Sequence, residues 1–146
     1  MNIVKIRETI EEGNFSCGIF LDFRKAFDTV NHEILLEELE YYEIKGVAKK
    51  WFISYFTDRR QRTSIVNENP EEKTISCGVP QGSVLGPLLF LIYINDLSHC
   101  TSLLDLHLFA DDSNLFFAHK NLSQLEIIVN NELTHINNWL CANKLH

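Results

Sequence analysis

The order of elements along the chain predicts an α+β fold of the split-βαβ type. Short apolar runs of strand length alternate with helical stripes instead of gathering in one half of the sequence. Two of those runs flank Asp111-Asp112 as the arms of a hairpin would, and a third ends on Asp22. The 146 residues, 45% hydrophobic and 23% charged, contain no linker, repeat or low-complexity stretch, so residues 1–146 are drawn as one domain.

Ile3, Ile6 and Ile10 recur at helical spacing, and Gly13 supplies a stop. Residues 16–22 (SCGIFLD) form a nearly continuous apolar run closed by a carboxylate, the pattern of a buried central strand whose end opens into a site. Asn31 is a good N-cap for a helix to about Tyr42. After Gly46, the residues Val47, Ala48, Trp51, Phe52, Tyr55 and Phe56 draw the stripe of the next helix, with its aromatics read as core. Strands are expected over residues 63–67 and 74–79, joined by a turn holding Asn69-Pro70. Ser83 is placed to cap a helix over residues 84–96, and Pro87 falls among its first N–H groups, which have no intrahelical partner. The apolar run 84–94 is far shorter than the roughly 20 residues of a membrane span, so a buried core helix is expected there and no membrane contact. Leu104, Leu106, Leu108 and Ala110 alternate with Asp105, His107 and Phe109 as a two-faced strand, and residues 114–118 return as its partner. Ser123 and Glu126 read as a capping box with Leu122 and Ile127 as its staple, after which Leu125, Val129, Ile136 and Leu140 carry a helical stripe.

Thirteen basic against 20 acidic side chains give a formal net charge of −7, which argues mildly against a polyanionic partner. Six of the 13 basic residues are nevertheless concentrated in one stretch, Lys45, Lys49, Lys50, Arg59, Arg60 and Arg62, against the single acid Asp58. That stretch is either a solvated face and loop or a nucleic-acid contact. The opening MNIVKIR carries charges where a signal peptide has its apolar centre, so an intracellular, non-secreted chain is expected. The abrupt end at Asn143-Lys144-Leu145-His146 reads as truncation. Cys17, Cys77, Cys100 and Cys141 show no Cys-x-x-Cys spacing, and Cys17 and Cys77 are expected as reduced core residues. The six histidines show no ligand spacing.

The chemistry lies at strand ends. If the strands carrying Asp22 and Asp111-Asp112 are neighbours, three carboxylates converge on one edge. Like charges so placed raise one another's pKa and titrate together. A pair of divalent cations offsets the repulsion, and carboxylates with few His or Cys nearby favour Mg²⁺ or Mn²⁺ over zinc. Two such ions are the clamp used in phosphoryl and nucleotidyl transfer. A further feature, Gly78-Val79-Pro80-Gln81-Gly82-Ser83, has glycines on both sides of Pro-Gln, suiting a loop that a backbone or ligand approaches closely.

In order along the chain, Phe20-Leu21-Asp22-Phe23-Arg24-Lys25-Ala26-Phe27-Asp28, then Gly78-Val79-Pro80-Gln81-Gly82-Ser83-Val84-Leu85-Gly86-Pro87, then Phe109-Ala110-Asp111-Asp112 resemble palm motifs A, B and C of reverse transcriptases. The style of Ala26-Phe27-Asp28-Thr29-Val30-Asn31-His32 and Phe90-Leu91-Ile92-Tyr93-Ile94-Asn95-Asp96-Leu97 is similar to the polymerases of non-long-terminal-repeat, LINE-like retrotransposons. The resemblance covers almost the entire chain. It implies an incomplete, ferredoxin-like (split-βαβ) palm with fingers and thumb largely missing. It also implies an RNA-directed DNA polymerase that uses two Mg²⁺ ions, with Mn²⁺ as alternative, on an RNA template, a DNA primer and deoxynucleotide triphosphates. By the same resemblance Asp22, Asp111 and Asp112 are the catalytic, metal-binding acids, and the Phe23 carbonyl helps hold one ion. Phe27 stands at the steric gate against a ribose 2′-hydroxyl, and Gln81 and Gly82 line the nucleotide pocket. Asp28 has no catalytic role in the motif. A phosphatase of the Asp-x-Asp kind is excluded by Asp22-Phe23-Arg24. The competing expectation is a non-catalytic remnant of a mobile element, binding nucleic acid weakly through Lys45–Arg62. With either, the fragment alone is expected to be inactive.

Overall fold

The computed structural model describes residues 3–63, 71–109 and 112–145, and its chain divides into two compact units, Met1–Ala26 with Ile94–His146, and Phe27–Tyr93. The architecture is α+β.

The first unit holds a three-stranded antiparallel sheet in the order β1-β5-β4, with β1 over Phe15–Asp22, β4 over Asp105–Phe109 and β5 over Asp112–His119. Helices α1 (Ile3–Glu11) and α6 (Leu122–Ala142) pack on it. Gly13, at φ +72°, ends α1 as its sequence position predicts. Lys5 pairs with Asp105 and lies 5.9 Å from the Phe116 ring, which ties α1 to the sheet face bearing Phe116. Leu115 is buried, and so are Leu125, Val129 and Ile136 of the expected α6 stripe. The N-cap of α6 is Asn121, whose side chain accepts from the Gln124 N–H at 3.1 Å; the Ser123–Glu126 capping box is corrected by two residues. An Asn side chain already aimed at the free N–H of the third helical residue leaves Ser123 inside the first turn.

The expectation of a buried central strand at residues 16–22 is also corrected. Among the described residues β1 pairs only with β5, and Cys17, Ile19 and Leu21 are half-buried while Phe20 is 67% exposed. A continuous apolar run cannot by itself report how many neighbours a strand has. Sheet centrality belongs to β5.

Glu132 interrupts the apolar stripe of α6 yet is buried. Its carboxylate accepts from the Thr101 hydroxyl and, at 3.2 Å, from the Ser102 N–H, while Thr101 Oγ1 accepts from the Leu104 N–H at 3.1 Å. The loop entering β4 is therefore fastened to α6 by one side chain. Glu132→Ala leaves those donors unpaired in the core, and hydrogen bonds to a charged acceptor contribute more than neutral ones. The expected loss is about 2–4 kcal/mol of unfolding free energy, read from urea denaturation of the parent and variant chains. A change within ~0.5 kcal/mol would show the network to be incidental.

In the second unit, Asn31 caps α3 (His32–Tyr41), accepting from the Glu33 and Ile34 N–H groups at 3.1 Å as expected. Helix α4 (Gly46–Phe56) departs from its expectation: only Phe56 is buried, Val47 is 85% exposed and Trp51 51%. The apolar residues form two rows about 100° apart on the helix, Val47–Trp51–Tyr55 and Ala48–Phe52–Phe56. Phe56 of the second row stacks on His32 at 4.5 Å.

Strands β2 (Arg60–Thr63) and β3 (Glu71–Thr74) pair from Arg60↔Thr74 to Thr63↔Glu71. They lie earlier than the expected 63–67 and 74–79; residues 64–67 and the Asn69-Pro70 turn fall outside the described residues. Beyond Thr74 the backbone bonds elsewhere. Gly78 N–H donates to Val30 O and Val79 N–H to Phe27 O, both at 2.7 Å, so residues 75–79 leave the hairpin after one bond from Ile75 N–H to Arg59 O. Helix α5 (Leu85–Ile94) is shorter than the expected 84–96 and passes into a 3₁₀ turn, Asn95–His99. It buries Leu89, Phe90, Tyr93 and Ile94, as a core helix does, but leaves Leu88 53% and Leu91 45% exposed, so its burial is one-sided. No helix among the described residues is long and apolar enough to cross a membrane.

Candidate active site

Asp22 is the last residue of β1 and Asp112 the first of β5, and the register pairs them directly. Both are exposed. Directly opposite residues of an antiparallel pair point to the same face with Cβ atoms about 4.5–5.5 Å apart, so the two carboxylates share one end of the sheet. Asp112 also pairs with Phe109 of β4, so the central strand delivers its acid between two neighbours. Asp111 lies outside the described residues. Among those described, no cluster of three or more His, Cys, Asp or Glu side chains is assembled. Phe23, buried, follows Asp22 at once, and its carbonyl accepts from the Ala26 N–H at 3.2 Å, closing the turn into α2 (Ala26–Thr29). A carbonyl oxygen so used keeps a second lone pair.

Phe27, Gln81 and Gly82 belong to the other unit. There the end of the first motif and the start of the second are zipped together. Besides the two backbone bonds at Gly78 and Val79, Asn31 forms an antiparallel bridge with Cys77, and His32 Nε2 lies 2.8 Å from Gly78 O. Gly78 sits at φ +90°, and a Cβ there would come within 2.8–3.0 Å of the Asp28 backbone. Only glycine fits that approach. The half-buried Phe27 ring packs on Phe90 at 5.0 Å, and Asn31 N–H donates to the Tyr93 hydroxyl at 3.3 Å. Burial pushes that hydroxyl's pKa up, so Tyr93 stays neutral in the core. Ser83 Oγ donates to Pro80 O and accepts from Gly86 N–H, both at 2.9 Å, holding the loop that presents the exposed Gln81 and Gly82.

Residues 2–146, which hold all three ordered motifs, are matched by the family model for "Reverse transcriptase (RNA-dependent DNA polymerase)". The chain belongs to the reverse transcriptase family. Among curated proteins, the chain is 35% identical over 98 residues to the "Probable RNA-directed DNA polymerase from transposon BS" of Drosophila melanogaster, covering 63% of this chain and 10% of that protein. It is 34% identical over 93 residues to the "RNA-directed DNA polymerase from mobile element jockey" of the same species, covering 62% and 10%. A third relative is the "Retrovirus-related Pol polyprotein from type-1 retrotransposable element R2" of Popillia japonica, 33% identical over 79 residues, covering 54% and 13%. The aligned segment thus spans about a tenth of these relatives.

The described cations of the basic stretch meet different surroundings. Lys45 pairs with Glu43 at 2.8 Å and Lys49 with Glu40, whose carboxyl pKa the Lys49 hydrogen bond and charge lower. Lys50 and Arg60 are exposed, and the side chain of Arg62 lies outside those described. Arg59 is half-buried, its guanidinium carbon 5.1 Å from the Tyr55 ring centre. The Tyr55–Arg59 spacing of four residues is the sequence signal for this contact, whereas the helical stripe alone assigns Tyr55 to the core. Cys77 is exposed instead of buried, because it stands in the opened segment 75–79, and all four cysteines are free thiols.

Proposed function

We propose that this chain carries the metal-binding centre and part of the nucleotide pocket of an RNA-directed DNA polymerase, within an incomplete split-βαβ palm spanning residues 1–146. The reaction adds a deoxynucleotide to a primer: the 3′-hydroxyl oxygen bonds to the α-phosphorus, the bond to the leaving pyrophosphate breaks, and the hydroxyl proton passes to solvent water. The observation that carries the reading is the direct pairing of Asp22 with Asp112 at the strand ends, beside Asp111. Two like charges in that position repel, a cost that an ordinary surface pairing avoids. The donor set, carboxylates plus the Phe23 carbonyl, suits hard divalent cations. Two Mg²⁺ or Mn²⁺ ions would supply there the charge that stabilises the attacking and leaving oxygens.

The chain's own groups do the rest. Asp22 and Asp111 would hold the ions, with Asp112 completing the donor set near the primer end. Phe27, pinned by Phe90 and by its carbonyl's bond to Val79 N–H, is a fixed wall whose bulk excludes a ribose 2′-hydroxyl. Gln81 and Gly82 line the side of the nucleotide and template, an RNA strand in the intact enzyme with a DNA primer annealed to it.

Mn²⁺ binding followed by electron paramagnetic resonance tests the centre on the 146-residue chain. The parent should quench the free-ion signal at millimolar Mn²⁺, and the Asp22→Asn, Asp112→Asn double variant should lose most of that quenching. Equal binding by the two would remove the metal centre from these residues.

A further inference from the structure

Within the second unit, the peptide unit between Gly78 and Val79 is held at both ends. Its N–H, that of Val79, donates to Phe27 O at 2.7 Å. Its carbonyl, that of Gly78, lies 2.8 Å from His32 Nε2. A carbonyl oxygen only accepts, so the imidazole carries a proton on Nε2 and donates it. The half-buried ring is fixed in turn by its stack on Phe56, at 4.5 Å between centres and 24° between planes. His32 is the first residue of α3, yet the helix does not depend on it for a cap, because Asn31 supplies that bond.

We propose that His32 is a positioning residue: by donating to Gly78 O it sets the spacing between the Phe27 wall and the loop bearing Gln81 and Gly82. The inference rests on the polymerase reading above and adds a residue that touches no substrate. A peptide unit is planar, so bonds at its two ends fix its orientation, whereas a bond at one end leaves it free to pivot. Gly78, at φ +90°, is the residue least able to resist that pivot by its own backbone preference. At the far end of the loop Ser83 Oγ already joins Pro80 O to Gly86 N–H. Gln81 and Gly82 therefore lie beyond one anchor and before another, and His32 completes the first. A stacked ring has little freedom left to lose when it makes this bond, which suits it to holding a pocket wall in place.

Two substitutions separate the bond from the ring. His32→Phe keeps the stack on Phe56 and removes the donor, and His32→Gln returns a donor without the ring. In a full-length polymerase carrying this segment, His32→Phe should raise KM for the deoxynucleotide about fivefold, the order of one hydrogen bond, with kcat within about twofold. Discrimination against the ribonucleotide should fall by a similar factor, and His32→Gln should recover most of both. Phe27→Val, which removes the wall itself, is the reference for discrimination. On the 146-residue chain, amide hydrogen exchange of His32→Phe should quicken about fivefold at Val79 and stay parental at Leu39, buried in α3. Quickening at both amides, or no recovery in His32→Gln, overturns the proposal in favour of a purely structural role. Relaxed discrimination in Phe27→Val with parental values in His32→Phe overturns it too, and leaves the pocket reading standing. Parental discrimination in Phe27→Val instead removes the wall from the pocket reading, and exchange at Val79 then decides for or against His32 by itself.

Discussion

Asp22→Asn and Asp111→Asn, each introduced into a full-length polymerase carrying this segment, are expected to lower primer extension at least ~10³-fold, about 4 kcal/mol of transition-state stabilisation. The physical cause is charge. Asp22 stands directly opposite Asp112, and each carboxylate lost removes one unit of the negative field that gathers divalent cations at the strand ends. An amide is isosteric, so the sheet register and the turn through Phe23 remain, and the loss falls on chemistry instead of folding. A turnover assay at saturating template and nucleotide separates the two: the deficit should appear in kcat. Near-parental extension by either variant would remove that residue from the centre.

The 146-residue chain by itself is expected to extend no primer, even with Mg²⁺. Correct positioning of reactants contributes about 7–11 kcal/mol to such a reaction. The contacts that would position a template–primer duplex are sparse here. The net charge is −7, Lys45 and Lys49 are already paired with glutamates, and the few cations left cannot hold a duplex against salt. Weak, salt-sensitive strand binding is compatible with this and synthesis is not. Extension of a labelled DNA primer on an RNA template, with Asp22→Asn as the contamination control, decides it. Robust synthesis by the parent and none by the control would show the short chain to be sufficient.

Sequence alone determined the α+β class, the places of Asp22 and Asp112 at strand ends, the N-cap at Asn31 and the apolar stripe of α6. Each depends on neighbours within a few residues, where periodicity, capping chemistry and turn residues act directly. The glycines around Pro80-Gln81 were legible as a site of close approach for the same reason, although not that the approaching backbone is Asp28. Tertiary structure decided the remainder. That β1 is an edge and β5 the centre depends on which strands find each other, and a run such as SCGIFLD is compatible with either place. Which aromatic row of α4 turns inward depends on the partner surface, because both rows are equally apolar. The basic stretch shows the point most clearly. Six cations close in sequence were dispersed by folding into two ion pairs, two exposed side chains, one stacked and partly buried guanidinium and one lying outside the described side chains. Charge spacing along a chain records neighbours in sequence, whereas desolvation and pairing are set by neighbours in space.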